Sequence, residues 1–381
     1  MSIFGIVCEF NPLHNGHKRL MDEAKRLGAD AVVCAMSGNA VQRGELAVVD
    51  KYARAKAAVL CGADLVLELP YPWSASSAEY FSGCGIELLS HFCDSVIFGS
   101  ECGDIALLKR VAGVAASSEF KERFKEMTES GEGAARAYFA LLEERVGAAF
   151  SSNDILGIEY IRSAIEKNIK LDFYTVKREG AAYNCDGLTK GEYPSATAIR
   201  KAWGEGKAAE EFIPEKALEV FEDAEHSDDA LLHRALMMYF RLADPKSLEG
   251  IAETDGGIVN RIVSAAKSAK NGEDFLEQMR TKRYTDAKLR RAMLFCLTEV
   301  RRELLKSSPE YVTLLAADSK GRELLARARK DGGINIVTKP ADAPRESEQF
   351  KVGERLEAIF TLSLKNSTDV GESYRKNVFI N

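Results

Sequence analysis

The chain has 381 residues, 46% hydrophobic and 29% charged, with a formal net charge of −6. A chain of this size and composition can bury a full core without disulfide staples and has room for two domains. The acidic balance excludes a global attraction to nucleic acid or to an anionic membrane, so any RNA contact must come from a local basic face.

Eight cysteines (Cys8, Cys34, Cys61, Cys84, Cys93, Cys102, Cys185 and Cys296) form no C-x-x-C pair and no zinc-like spacing. Several lie in apolar runs, where a thiol acts as a small core hydrophobe, which suits a reducing cytosol. The opening residues 1–7 lack the basic region and long apolar stretch of a signal peptide, and no apolar run is long enough to span a bilayer. The expectation is a cytoplasmic protein with no membrane partner and no evident protein partner.

Residues 3–8 are a continuous apolar run and read as a first strand. A helical pattern follows, with Leu20, Met21, Ala24 and Leu27 on one face and Gly28 as the stop. Residues 31–36 are a second apolar run. Residues 50–60 read as a helix ending near Gly62, and residues 64–69 as a third strand closed by Pro70. Residues 76–92 read as helix, and residues 95–98 as a fourth strand ending at Gly99. Continuous apolar strands separated by helices predict a parallel sheet buried on both faces, with right-handed crossovers. The fold class expected is therefore α/β, Rossmann-like, with ligands at the carboxyl ends of the strands. The loops after Cys8, Met36 and Phe98 are the informative ones.

Residues 107–146 look helical and charged. Ser152-Asn153-Asp154 offers an N-cap before Ile155, Leu156, Ile158, Tyr160 and Ile161. Residues 171–176 read as a fifth strand, residues 178–191 as a polar, Gly-rich loop, and Pro194-Ser195 as the opening of a helix through Ile199 and Trp203. A composition shift over 204–214 sets the expected boundary between a domain of residues 1–205 and a mainly helical one of residues 206–381. In the latter, residues 311–316 and 334–337 read as strands flanking a helix at 322–329, a small βαβ element. No internal repeat or low-complexity tract is present, and residues 365–381 carry no readable pattern.

The strongest chemical signal is Glu9-Phe10-Asn11-Pro12-Leu13-His14-Asn15-Gly16-His17. It lies where the first strand gives way to the first helix. A helix N-terminus presents unpaired N–H groups and a partial positive charge, which suits phosphate. Gly16 has no Cβ, so a phosphate or a base can approach the backbone. Two imidazoles can donate to phosphate oxygens and stabilise charge that builds on an α-phosphate and a leaving pyrophosphate. Loop histidines or a metal pair is the bland alternative. The composite of strand, Asn-Pro turn, H-x-G-H and helix favours phosphate, with His14 and His17 as candidate catalytic residues.

The second signal is Pro194-Ser195-Ala196-Thr197-Ala198-Ile199-Arg200. Ser195 and Thr197 can cap a helix and bind phosphate, and Arg200 is placed to reach β- and γ-phosphates. Alone this is an ordinary helix start; beside H-x-G-H the functional reading is favoured.

The two motifs together resemble the H-x-G-H nucleotidyltransferase superfamily, which pairs H-x-G-H with an I-S-S-T-x-x-R-like segment; here Ala196 replaces one hydroxyl. Seven ordered motifs narrow the resemblance: residues 10–17, Met36-Ser37-Gly38, residues 42–45 (Q-R-G-E), residues 98–101 (F-G-S-E), residues 153–160 (N-D-I-L-G-I-E-Y), Lys177-Arg178, and residues 281–285 (T-K-R-Y-T). This set is similar to the tRNA(Met) cytidine acetate ligase family over residues 1 to about 300. Ser152, Cys8 and Asn39 depart from the residues usual there.

The resemblance implies activation of acetate as acetyl-adenylate by ATP, with magnesium as companion and no protein metal site. It implies transfer to N4 of the wobble cytidine of elongator tRNA(Met). It also implies an ATP-binding loop at residues 7–20, including Val7, Cys8, Glu9, Phe10, Asn11, His14, Gly16, His17 and Leu20, with further contacts at Gly99, Asn153 and Arg178. Residue chemistry agrees. A glycine at a strand end leaves room for a nucleotide, Asn153 can both donate and accept, and Arg178 is a fixed positive fork or, equally, a surface ion pair. Glu9 and Glu101 are candidate magnesium or ribose partners. Residues 42–45 either order a lid or bind substrate, or are a solvated loop.

The third signal is basic. Lys282 and Arg283 precede a helix expected to carry Lys288, Arg290, Arg291, Arg301 and Arg302, with Arg290 and Arg301 on one face. Leu289, Met293, Leu297, Val300 and Leu304 would be its buried stripe. Such a stripe is usually a solvated face. Few acidic residues stand nearby in sequence and Tyr284 offers a ring for stacking, so Lys282, Arg283, Arg290 and Arg291 are the candidate tRNA contacts. The competing readings are an adenylyltransferase acting on a small-molecule phosphate acceptor, and a non-enzymatic RNA-binding protein.

Overall fold

Strand β1 (Ile3–Cys8) is apolar along its whole length, and strand β2 (Ala31–Ser37) is apolar up to its last residue, so both faces must be covered. The computed structural model describes residues 1–130, 132–178, 193–281 and 283–381. Most of the loop expected at 178–191, and Lys282, therefore lie outside the described residues. The remaining strands are the short hairpin β3 (Ala40–Val41) and β4 (Glu45–Leu46), then β5 (Leu65–Leu69), β6 (Ser95–Ser100), β7 (Asp172–Lys177), β8 (Val312–Ala317), β9 (Ile336–Val337) and β10 (Phe379–Ile380).

The main sheet runs β10-β8-β5-β2-β1-β6-β7, with β9 alongside β8. The strands β5, β2, β1, β6 and β7 are mutually parallel, as expected for strands separated by helices. Alternation along each strand splits the core in two. Phe4, Ile6, Val32, Cys34 and Val66 face one layer, with Met21 and Ala55 of the helices Asn15–Arg26 and Lys51–Leu60. Ile3, Val33, Ala35, Leu65 and Leu67 face the other, with Phe81 and Leu89 of the helix Ala78–Ser90.

Several expectations change. β6 continues through Gly99 to Ser100. The helical stretch at 107–146 is three helices, Ile105–Ala116, Ser118–Glu129 and Ala134–Val146. The helix Ser152–Glu166 is capped by Ser151, one residue earlier than the sequence suggests, in a capping box with Asp154. The basic helix stops at Thr298, because Glu299 takes a left-handed conformation (φ 59°). Arg301 then caps a separate short helix, Arg302–Lys306, so Arg290 and Arg301 share no helical face.

The expected βαβ element is present as β8, the helix Ser319–Asp331 and β9, with β8 and β9 parallel. It is not freestanding. β8 pairs antiparallel with β5, and β10 pairs parallel with β8. Strands beyond residue 206 thus complete the sheet begun by residues 1–205, and the sheet is mostly rather than wholly parallel. Without them β5 would expose the unpaired backbone of a buried strand edge.

The helix Lys51–Leu60 begins at Asp50, whose carboxylate accepts from the Tyr52 and Ala53 amides at 2.9 and 3.2 Å. One turn in, Arg54 is fully buried. Its Nε donates to the Val49 carbonyl at 2.8 Å, and its Nη1 donates to the carbonyls of Glu9 at 2.6 Å and Ser37 at 3.0 Å. Its Nη2 donates to the Gly38 carbonyl. One guanidinium therefore ties together the chain leaving β1 and the chain leaving β2. Burial lowers its pKa to about 10, still far above neutrality, so it remains charged. Replacing it by methionine leaves four buried carbonyls without a donor, and the unfolding free energy is expected to drop by about 3–5 kcal/mol. Urea denaturation checks this; a loss below about 1 kcal/mol would mean that water replaces the guanidinium.

Candidate active site

β1 leaves the sheet through Phe10, a buried residue in the left-handed region (φ 46°). The turn delivers His14 to the N-cap of the helix Asn15–Arg26. His14 Nδ1 accepts the Gly16 amide at 3.1 Å, and His17 Nδ1 accepts the His14 amide at 3.2 Å. Each ring closes on the other's backbone as a capping box built from imidazoles. The rings lie 3.8 Å apart, and Phe10 packs edge-on against His17 at 5.0 Å.

This arrangement sets the tautomers. A neutral imidazole whose Nδ1 accepts a hydrogen bond carries its proton on Nε2. Both histidines also stay neutral: burial pushes His14 down to about 3, and the nearby positive charge of Arg178 adds to the shift. His17 is lowered well below its usual value by burial, by His14 and by Arg178. The pair thus offers two uncharged Nε2–H donors. Gly16 serves this geometry in its own way, since a Cβ there would lie 2.9 Å from His14 Cε1. The space beside it holds the His14 ring.

Both histidines line a cavity of about 1160 Å³. Val7, Cys8, Glu9 and Leu20 line it from the first strand and helix, and Gly99, Asn153, Arg178, Ser195, Thr197 and Arg200 from later segments. Phe10, Asn11 and Gly16 are not on the wall. Phe10 supports His17 from behind, and Asn11 accepts the Val48 amide at 2.8 Å. Arg178 follows β7, with its own amide bonded to the Ser100 carbonyl at 2.9 Å. Among the described residues it has no carboxylate partner. Gly99 sits inside β6 rather than at its end; a Cβ there would meet Arg178 Cγ at 3.4 Å, an ordinary contact.

Asn153 Nδ2 donates to Glu101 Oε1 at 2.5 Å, and the Asp154 amide donates to Glu101 Oε2 at 3.1 Å. One Glu101 oxygen therefore supports the first turn of the helix Ser152–Glu166, and the other orients the Asn153 side chain. Glu9 accepts the Gln42 amide at 2.9 Å, and burial raises its pKa. Ser195 caps the helix Ala196–Gly204 through the Ala198 amide at 3.1 Å. Arg200 donates to the Asn11 carbonyl at 2.7 Å and to Glu45 at 3.0 Å.

The cavity continues along the helix Ser152–Glu166 to Tyr80, Tyr138 and Phe139, and outward to Lys288, Arg302 and Lys306. It exceeds what one drug-sized ligand usually fills. The basic residues at this side acquire partners that are distant in sequence. Arg291 grips Glu253 with two bonds of 2.8 Å, and Arg290 pairs with Glu45. Arg283 and Lys288 lie over the Tyr284 ring at 5.3 and 5.6 Å, and Tyr284 donates to the Gly256 carbonyl at 2.8 Å. Sequence reading missed Glu45 and Glu253 as partners, because neither lies near the basic segment. Arg54 carried one local signal: an arginine on the apolar face of a helix.

Residues 1–374 match the sequence model of the family described as HIGH Nucleotidyl Transferase. A Clostridium perfringens protein named tRNA(Met) cytidine acetate ligase is 35% identical over 371 residues, covering 91% of this chain and 92% of its own. A protein of the same name from Caldanaerobacter subterraneus subsp. tengcongensis is 34% identical, with 96% of each chain covered. Among solved structures, Thermotoga maritima TmcAL without ligand superposes with a TM-score of 0.90 at 30% identity, covering 100% of this chain and 99% of that one. The same protein bound with alpha-thio ATP gives 0.87 at 29% identity with the same coverage.

The neutral pair has a pH consequence. The folded-state pKa values of both rings lie below the ordinary 6.5, so below that pH the unfolded chain takes up protons that the folded chain refuses. Stability from this source is complete above about pH 6.5 and is lost as pH falls, by up to about 1.4 kcal/mol per pH unit for each ring. Nitrogen-15 correlation spectra should show both rings as Nε2–H tautomers from pH 8 to 5. A ring at either position titrating near 6.5 would contradict the assignment.

Proposed function

The chain belongs to the HIGH nucleotidyl transferase family and, within it, to the tRNA(Met) cytidine acetate ligases, and from that premise we propose that it activates acetate with ATP and acetylates the wobble cytidine of elongator tRNA(Met) at N4. The observation that carries the chemistry is the reciprocal capping of His14 and His17, which leaves two Nε2–H donors on the cavity wall. A carboxylate oxygen of acetate attacks the α-phosphorus of ATP, the bond to pyrophosphate breaks, and acetyl-adenylate forms. The cytosine amine then attacks the acetyl carbonyl, loses a proton and expels AMP. The two imidazoles donate to phosphate oxygens as charge builds on them, without themselves gaining or losing a proton.

Cationic support comes from Arg178 beside the histidines and from Arg200 toward the β- and γ-phosphates. Val7, Cys8, Leu20 and Gly99 supply the adenosine walls, and Asn153, oriented by Glu101, supplies a polar contact. Ser195 and Thr197 present hydroxyls and a helix start to the phosphate tail. Magnesium would be carried on the triphosphate with at most a carboxylate from the wall. Glu9 is the wall carboxylate adjoining the H-x-G-H loop. Such an ion neutralises the pyrophosphate when bound.

For the RNA, we take the rim of Arg283 and Lys288 as the contact surface, with Arg290 and Arg291 holding that rim to the nucleotide site; Lys282, the fourth residue expected there, lies outside the described residues. Space along the helix Ser152–Glu166 leaves room for an unstacked acceptor base. No helix among the described residues is long and apolar enough to cross a membrane. A cytoplasmic setting suits a tRNA substrate.

With ATP, labelled acetate and bacterial tRNA, the protein is expected to form N4-acetylcytidine and to catalyse acetate-dependent ATP–pyrophosphate exchange. His14→Ala and His17→Ala are each expected to slow exchange by about 10²–10³-fold. Exchange absent in the presence of acetate, with no labelled nucleoside, would remove the ligase reading. A stable nucleotidyl product formed without RNA would instead indicate a small-molecule adenylyltransferase.

A further inference from the structure

The turn between β3 and β4 carries Gln42-Arg43-Gly44-Glu45, and the structure seats it between both halves of the chain. Gly44 has φ +72°, and a Cβ there would lie 2.5 Å from the Arg291 backbone nitrogen and 2.8 Å from the Arg290 carbonyl carbon. The turn therefore rests directly on the backbone of the helix Asp286–Thr298, where no side chain fits. On its other side the Gln42 amide is held by Glu9 at 2.9 Å.

Glu45 sits at the meeting point. Its Oε2 accepts from Arg200 Nη2 at 3.0 Å, and its Oε1 accepts from Arg290 Nη1. The Glu45 side chain is 20% exposed, Arg200 21% and Arg290 30%, so the cluster is only partly screened by solvent. Arg200 Nη1 is held separately by the Asn11 carbonyl at 2.7 Å. A guanidinium gripped at both Nη atoms is fixed in orientation yet keeps further N–H donors for an anion.

We propose that Glu45 is a positioning residue for adenylate formation. It aims Arg200 at the triphosphate and, by holding Arg290 on its second oxygen, sets the nucleotide clamp and the basic helix in one register. The proposal rests on the reading of Arg200 as a triphosphate contact. Pre-fixing the fork removes an ordering cost that nucleotide binding would otherwise bear. The opposite role, a carboxylate competing with phosphate for Arg200, is disfavoured because Glu45 is shared with a second cation and does not neutralise Arg200 one for one.

The test is acetate-dependent ATP–pyrophosphate exchange by the full chain, without tRNA, for the wild type, Glu45→Gln, Glu45→Asp, Arg200→Lys and the Glu45→Gln/Arg200→Lys double variant. Glu45→Gln and Arg200→Lys are each expected to raise the KM for ATP about tenfold while kcat stays within about threefold. The double variant should be no worse than Arg200→Lys alone, because the two act through one contact. Glu45→Asp, which keeps the charge, should recover most of the wild-type KM. In tRNA acetylation, Glu45→Gln should also raise the KM for tRNA. A normal KM for ATP in Glu45→Gln, with Arg200→Lys impaired, overturns the proposal alone. A lowered KM in Glu45→Gln identifies a competitor, and equal damage from Asp and Gln removes the charge-based role. A normal KM in Arg200→Lys overturns the reading of Arg200, and absent wild-type exchange overturns the ligase reading itself.

Discussion

The buried guanidinium of Arg54 fastens the chain leaving β1 to the chain leaving β2, and the site depends on where those two ends lie. It bonds the carbonyls of Glu9, Ser37 and Gly38 at once. Glu9 opens the H-x-G-H loop, and Gly38 opens the segment leading to the β3–β4 turn. A charge deep in the core is costly unless its donors are used; here backbone carbonyls take four of the five N–H groups. The result is a rigid floor at the carboxyl edge of the sheet, where a parallel α/β fold places its ligands.

On that floor the histidines are constrained to one chemical form. Each Nδ1 is committed to a backbone amide, so each Nε2 is left as a donor. Enclosure and the charge of Arg178 keep both rings neutral. The division of labour follows from this. In the reaction we propose, the imidazoles orient and polarise, and Arg178 and Arg200 supply positive charge. Preorganisation of this kind suits transfer at phosphorus, where the protein has little covalent chemistry to perform.

The second half of the chain is built into the same frame. β8 shields the β5 edge, and Lys51 sits between Glu68 and Glu357 at 3.0 and 2.9 Å, bridging the first helical layer to the helix Glu348–Leu362. Tyr71 and Thr298 share a buried hydrogen bond of 2.6 Å between β5's exit and the end of the basic helix. With Glu45 and Glu253 engaging Arg290 and Arg291, these contacts tie the basic helix to the wall of the cavity that holds His14 and His17.

The amino-acid sequence alone determined whatever is encoded within a few residues of itself. The runs of β1, β2 and β5 are strands, Ser195 is a helix cap, and the βαβ near the end is real, because periodicity and capping are local. Tertiary structure alone decided what those pieces meet. The acidic partners of Arg290 and Arg291 come from residues 45 and 253, invisible to a search of the neighbouring sequence. β8 joined the first sheet because the unpaired backbone of a strand edge needs a partner and sequence separation does not forbid it. Glu299 broke the basic helix without any glycine to announce it, and Gly16 proved to make room for an imidazole. Each of these turns on which distant surfaces come into contact, a question that charge, pattern and spacing along one strand of text leave open.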